Sequence, residues 1–501
     1  MPDSIIPPTD PAAQRPAGMG TQAARTPVVL LPGDGIGPEV TAATRRICDA
    51  AGAAIDWRVA EAGAACFAKG IATGVPRATL DLVAEAGVVL KAPLETAVGY
   101  GGKSVNVTLR NLFEMYGNLR PVKELPGVKT PFSGRGIDML IVRENIEDLY
   151  AGIEHMQTPN VAQSLKLMSV QGCDRILRLA FTLAQAEGRK RVTCVTKANI
   201  MKLTEGMMKR RFEAMAPQYP GIAADHLIVD NCAHQMVIRP ERLDVIVTSN
   251  LFGDILSDLA AGLVGGLGVA PSANVGARVA MFEAVHGSAP DIAGKGLANP
   301  TALLLAACMM LRHIGQGAIA QRVEKALFRT LEAGTALTAD LARAHPPVST
   351  GAFTDAVIAA LELAPPAQAP VAAAKLATPA VPAATIVPEK REVIGVDVFV
   401  ESRGPVRQLA EAVEQTIGDT PFVLKMISNR GAQAWPATVE LEDMVDHWRC
   451  RFVMKKPGAW ATEGHILALL QRVSLVTSWI HIEKLQRFDG EDGFSKAQGE
   501  A

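Results

Sequence analysis

Three arginines stand at the ends of three neighbouring segments: Ser104-Val105-Asn106-Val107-Thr108-Leu109-Arg110, Asn118-Leu119-Arg120-Pro121 and Val142-Arg143-Glu144-Asn145. A guanidinium holds a carboxylate in a bidentate fork, so converging arginines suit a polyanionic acid. A single arginine in such a place is as often a solvated surface residue, and spacing alone does not prove convergence. Asp254 and Asp258 follow in Asn250-Leu251-Phe252-Gly253-Asp254-Ile255-Leu256-Ser257-Asp258 and, four residues apart, share a helix face. They read either as acids set against a helix dipole or as oxygen ligands for Mg²⁺ or Mn²⁺. Asp230, in Ile228-Val229-Asp230-Asn231, reads as a strand end and a third oxygen ligand.

These groups need a scaffold, and the pattern around them is that of alternating strands and helices. Pro27-Val28-Val29-Leu30-Leu31 is a β-branched and apolar run that stops at Gly33-Asp34-Gly35-Ile36-Gly37, and Pro38 then sits where a first helical residue belongs. Val88–Leu90, Met139–Val142, Arg191–Val195 and Val245–Val247 read as buried strands, with helix-period stretches at 172–187 and 200–216 between them. Such alternation predicts an α/β unit with a largely covered sheet.

From Ala364 to Pro388, sixteen of 25 residues are Ala or Pro (ten and six), a semi-extended linker with nothing to bury. Beyond it, strands at 393–400, 421–428, 447–455 and 477–485 and helices at 405–417 and 462–474 give the order β-α-β-β-α-β, that of a ferredoxin-like α+β unit.

The 501 residues are 49% apolar and 20% charged, a globular composition of several domains. Fifty basic and 51 acidic residues nearly cancel, which argues against a nucleic-acid partner. Ala302–Leu311, the longest strongly apolar stretch, is too short to span a bilayer and reads as a buried helix. Seven scattered cysteines without a C-x-x-C pair read as reduced core thiols. Residues 1–26 carry five prolines and no apolar h-region. They are expected to be a disordered tail on a cytoplasmic protein.

The segments GDGIGPEV, SVNVTLR, NLRPV, RENIEDLYAGIEH, TKANIMK, NLFGDILSDL and GGLGVAPSAN together resemble the β-decarboxylating isocitrate/isopropylmalate dehydrogenases, over about residues 27–362. Residues 389–501, with IGVDVFVES, LKMISNRG, VDHWRCRF and EKLQ segments, resemble the extra C-terminal domain of a longer bacterial subtype. The resemblance implies a large domain (about 27–115 and 265–362), a small domain with a clasp (about 116–264), a linker at 363–388 and a C-terminal domain at 389–501. It implies the non-Rossmann fold of that family, large and small domains sharing one sheet. Consistently, G-x-G-x-G at Gly33 lacks the dinucleotide fingerprint.

Carried over residue by residue, the resemblance gives Arg110, Arg120 and Arg143 to the substrate carboxylates. Ser104 and Asn106 go to the carboxylate that distinguishes isocitrate from an alkyl-bearing isopropylmalate. Asp254 and Asp258, with Asp230 from the partner, go to Mg²⁺ or Mn²⁺; Lys197, also the partner's, to a general base; and Tyr150 to the proton returned after decarboxylation. The implied partner is therefore a second copy in a homodimer with shared sites, with a higher oligomer through the C-terminal domain as an extension. Cofactor contacts are implied at Thr96, Asn199, Glu283, His286, Gly287, Ser288, Ala289, Asp291, Ile292 and Asn299. Enzymes of this type that use NADP commonly carry Lys-Tyr where this chain has Asp291-Ile292. The carboxylate suits adenosine ribose hydroxyls and repels a 2′-phosphate, so NAD is the expected cofactor. NADP, the substrates 3-isopropylmalate and homoisocitrate, and a non-catalytic regulatory subunit are the alternatives.

Overall fold

The computed structural model describes residues 25–95, 104–363, 386–437 and 441–500. The predicted N-terminal tail and most of the Ala/Pro segment lie outside the described residues. Twelve strands fall in the first part: β1 (Thr26–Leu31), β2 (Ile55–Val59), β3 (Val88–Lys91), β4 (Gly117–Lys123), β5 (Asp138–Glu144), β6 (Glu154–Thr158), β7 (Val161–Ser164), β8 (Arg191–Thr196), β9 (Ala223–Ile228), β10 (Val245–Thr248), β11 (Pro271–Val275) and β12 (Ala280–Ala284). Ten of them form one sheet in the order β2-β1-β3-β12-β11-β4-β5-β10-β8-β9, and β6 and β7 make a separate hairpin. The pairs are parallel except for β12-β11-β4-β5, which run antiparallel and join the two halves.

Strands such as β3 (VVLK) and β10 (VIVT) are buried at every residue, because helices cover both faces. The helix Thr301–His313 is the buried one expected at Ala302–Leu311; ten of its thirteen residues are buried. No helix among the described residues is long and apolar enough to cross a membrane. All seven cysteines are free and buried.

The last part holds β13 (Arg391–Glu401), β14 (Phe422–Asn429), β15 (Ala432–Trp435), β16 (His447–Met454), β17 (Ser478–Phe488) and β18 (Glu491–Asp492), with helices Val406–Thr416 and Glu463–Val473. The strand order β15-β14-β16-β13-β17-β18 contains the ferredoxin-like arrangement of four, and β15 and β18 extend its edges. Val396, Val398, Phe422, Phe452, Leu469 and Val473 form its core under the two helices. This unit touches the β6–β7 hairpin. Asp446 accepts hydrogen bonds from Thr158 Oγ1 and Asn160 Nδ2, both at 2.8 Å.

Candidate active site

Antiparallel pairing sets Arg143 on β5 opposite Asn118 on β4, and Arg120 lies two residues from Asn118. A strand alternates its faces, so Arg120 and Arg143 emerge on the same side of the sheet. The helix Asn250–Val264 starts directly beyond β10, with Ser249 as its N-cap, and brings Asp254 and Asp258 over that side one turn apart. At Gly253 a Cβ would stand 2.5 Å from Arg143 Cγ, so only glycine lets the guanidinium pass beneath the helix. Arg143 pairs with Asp254 Oδ1 and donates from Nε to Asn250 Oδ1 at 2.9 Å. Arg120 reaches Asp254 and Asp258 at 3.1 Å each, Ser257 Oγ at 2.6 Å and Asn118 Oδ1 at 2.9 Å. Tyr150 donates its phenol proton to Asp254 Oδ2 at 2.5 Å, with the Arg143 guanidinium 4.9 Å from its ring centre.

The electrostatics follow from this crowding. Burial alone would raise the Asp254 carboxyl, but Arg143 and Arg120 outweigh it and hold it below the usual carboxylate range. Asp258 moves the other way, because burial exceeds the pull of Arg120. The Tyr150 phenol is raised, chiefly by burial and with help from its bond to Asp254, so it stays protonated at neutral pH. Burial and then the neighbouring Arg120 bring Arg143 down to about 10.

Arg110 lies on the helix Val105–Leu112 and joins the group from the other half of the sheet. Its Nη2 donates to Glu283 Oε1 at 2.9 Å. Lys91 and Glu283 are register partners on β3 and β12, and the Lys91 ammonium sits 2.7 Å from Glu283 Oε2. Burial would raise the Glu283 carboxyl, yet Lys91 and Arg110 drive it far below the carboxylate range. Burial lowers the Lys91 ammonium, with Glu283 opposing. Glu283, expected among cofactor contacts, is thus enclosed beneath Arg110 and orients it. Lys91 is absent from the residues expected from sequence, although a lysine closing an all-apolar buried strand is a signal for it.

Asn106, Arg110, Arg120, Glu283, His286 and Gly287 line one cavity of about 140 Å³. Three side-chain atoms around it are buried without a hydrogen-bond partner: Asn106 Oδ1, Arg110 Nε and His286 Nε2. Arg143 Nη2, beside Asp254, is in the same condition. Buried polar atoms left open at a concave site are what an absent polar ligand would satisfy. Ser104 stands at the N-terminus of the Arg110 helix.

Lys197 and Asp230 lie elsewhere in the chain. Lys197 Nζ is 3.1 Å from Asp230 Oδ2, and Asp230 is in the first turn of the helix Val229–Ile238, not at the strand end expected for it. Among the described residues no group of three acidic, histidine or cysteine side chains gathers as a metal cage. One chain therefore presents Asp254 with Asp258 in one place and Asp230 in another.

The loop following β12 carries most of the remaining expected residues. Ile36 N donates to Ser288 O at 2.8 Å, and at Gly35 (φ +58°) a Cβ would stand 2.0 Å from that oxygen, so glycine is required for the two turns to meet. Burial lowers the His286 imidazole. Ala289 has φ +40°, Ile292 closes the turn through its amide to Ala289 O at 3.2 Å, and Asn299 donates to Asp340 at 2.8 Å. Asn199 is exposed beside Lys197, and Thr96 lies outside the described residues. Asp291 is exposed, and Lys295 Nζ folds back to its carbonyl oxygen at 2.7 Å.

Two families match the chain: isocitrate/isopropylmalate dehydrogenase over residues 27–357, and the bacterial isocitrate dehydrogenase C-terminal domain over residues 391–500. An "isocitrate dehydrogenase [NADP]" of Thermus thermophilus is 55% identical over 475 residues, 94% of this chain and 96% of the relative. One of Rickettsia prowazekii with the same name is 41% identical over 95% of this chain and 100% of its own. The crystal structure of a Thermus thermophilus protein designated TT0538 superposes with a TM-score of 0.91 at 55% identity, covering 95% of this chain and 97% of that one. The names of the two full-length relatives overturn the expectation of NAD. Asp291 alone does not set the charge of this turn. Asp291 is solvated, which screens it, and Lys295 brings a cation to the same turn.

Proposed function

The chain belongs to the isocitrate/isopropylmalate dehydrogenase family, and we propose that it catalyses NADP-linked, divalent-metal-dependent oxidative decarboxylation of isocitrate to 2-oxoglutarate and CO₂. The observation that carries this reading is the convergence of Arg110, Arg120, Arg143, Tyr150 and Asp254 beside a small polar cavity. Asn106 in that cavity, with Ser104 at the head of its helix, offers a hydrogen-bonding surface suited to a third carboxylate and poor for an alkyl group.

The donor set fits a hard cation: Asp254 and Asp258 supply oxygens one turn apart, and Asp230 of a second copy would complete them. When bound, the ion acidifies the substrate hydroxyl and polarises the carbonyl formed from it. The open His286 Nε2 fits a cofactor along 286–299, and NADP supplies the hydride acceptor. The chain's own residues do the rest. Arg110, Arg120 and Arg143 hold the carboxylates and orient C2. Lys197 of the second copy takes the hydroxyl proton. Tyr150, kept protonated by burial, delivers a proton to C3 once CO₂ has left. Among the described residues of one chain, Asp230, paired with Lys197, does not gather with Asp254 and Asp258, which supports a homodimer with shared sites. Seven free, buried thiols support a cytoplasmic setting.

The test is turnover of isocitrate, 3-isopropylmalate and homoisocitrate with Mg²⁺ or Mn²⁺, each against NADP and NAD. Isocitrate with NADP is expected to give the highest kcat/KM, and a higher value for either other acid would overturn the reading. Mixing Lys197→Met with Arg110→Ala protein should recover activity, since a heterodimer then holds one intact site.

A further inference from the structure

Two residues after β7 the chain turns Lys166 inward beneath the helix Asn250–Val264. Its ammonium pairs with Asp148 and lies 2.9 Å from Glu205 Oε1. The side chains are 12%, 1% and 0% exposed for Lys166, Asp148 and Glu205, and the Phe252 ring centre lies 5.2 Å from the ammonium.

Each carboxylate holds a different part of the proposed machinery. Asp148 accepts from Leu149 N at 2.8 Å, which caps the short turn Leu149–Ala151 carrying Tyr150, and from Leu251 N at 2.9 Å, in the first turn of the helix that carries Asp254 and Asp258. Its own backbone is left-handed at φ +68°, a strained setting for a non-glycine residue that its surroundings must maintain. Glu205 accepts from Lys197 N at 3.1 Å and from Ser249 Oγ, the N-cap residue of that same helix, at 3.0 Å. Without the cation between them, two buried carboxylates would repel.

We propose that Lys166 is a positioning residue that ties Tyr150 and the Asp254 helix to the Lys197 loop. The inference rests on the shared-site reading. Lys197 serves the second copy's site while Tyr150 serves its own, so one Lys166 sets groups in both sites of a dimer.

Tagged heterodimers test this. A wild-type/Arg110→Ala heterodimer keeps one intact site and is expected to show about half of wild-type turnover. Lys166→Met should lower kcat about 10–100-fold, the range for groups that orient others. Its KM for isocitrate should stay near wild type, because Arg110 and Arg120 are untouched. The decisive reading is the wild-type/Lys166→Met heterodimer, expected to fall well below half, towards the Lys166→Met homodimer. Lys166→Arg should restore most of the activity. Should Lys166→Met fail to fold, Lys166→Gln, which keeps a hydrogen-bond donor between the two carboxylates while losing the charge, is read in the same heterodimer. A folded heterodimer of either variant that keeps half of wild-type turnover would overturn the inference. A wild type inactive on isocitrate, or absence of recovery in the Lys197→Met/Arg110→Ala mixture, would instead remove the reading beneath it.

Discussion

Two arginines, Arg143 in the ten-stranded sheet and Arg451 in the six-stranded one, each expose 1% of the side chain. Arg451 is fully engaged. Nε and Nη2 hold Asp397 at 2.8 Å, Nη1 holds Glu500 at 2.7 and 2.9 Å, and Nη2 also reaches Ser495 O at 2.9 Å. Arg143 pairs with Asp254 and Asn250 but leaves Nη2 without a partner. Burial lowers both guanidiniums; Asp397 and Glu500 then carry Arg451 above its ordinary value, whereas Arg120 pushes Arg143 further down. Equal burial thus conceals opposite uses. A saturated cation fastens a fold, and one with an open donor beside other cations is prepared for an anion from outside.

The largest effect that could break this contrast is kinetic. Arg143→Met should lower kcat/KM for isocitrate by about 10²–10⁴-fold, the loss of about two charge-assisted hydrogen bonds, with the thermal midpoint little changed. Steady-state kinetics and calorimetry decide it, and a large fall in midpoint with retained kcat/KM would place Arg143 with the structural arginines. Next, Arg451→Met should leave turnover unchanged and destabilise the C-terminal unit by about 1–3 kcal/mol, since Asp397 then keeps only Arg449 at 3.9 Å and Glu500 keeps Lys425 at 3.1 Å; urea unfolding followed at Trp448 reads this.

A smaller effect concerns Glu283, whose folded-state carboxyl lies below its unfolded value. Its stabilisation is complete above an unfolded value near about 4.3 and declines as pH falls below it. Wild type should therefore lose about 1 kcal/mol more than Glu283→Gln between pH 6 and about pH 3.5, one unit being about 1.36 kcal/mol; equal acid sensitivity in paired urea melts would contradict the assignment. The smallest is Asp446→Ala, which should leave turnover unchanged while amides of β6 and β7 exchange hydrogen faster.

Much of this is legible in the residues. The Asp254–Asp258 spacing, the three arginines and the β-α-β-β-α-β order are readable because each depends on local periodicity or a short motif. What is not legible depends on approach across the chain. Lys91 and Glu283 meet because β3 and β12 lie side by side, though 192 residues separate them. The Lys166 contacts arise in the same way. Asp291 misleads because its neighbour in charge, Lys295, returns to it only through a turn. The β14–β15 hairpin, absent from the expected elements, does carry a local signal: Asn429-Arg430-Gly431, with positive φ at Arg430 and Gly431, as tight hairpins require.

The place of β12 next to β3 also governs assembly of the nascent chain. Strands β1, β2 and β3 can pair as soon as residue 91 has been made, but the far edge of β3 waits for Ala280–Ala284. At about 5–20 residues per second, that apolar edge stays unpaired for roughly 10–40 s of synthesis. The six-stranded sheet closes entirely within residues 391–492 and has no comparable wait. The large sheet is therefore expected to fold more slowly than the small one and to be the more open to association with other unfinished chains.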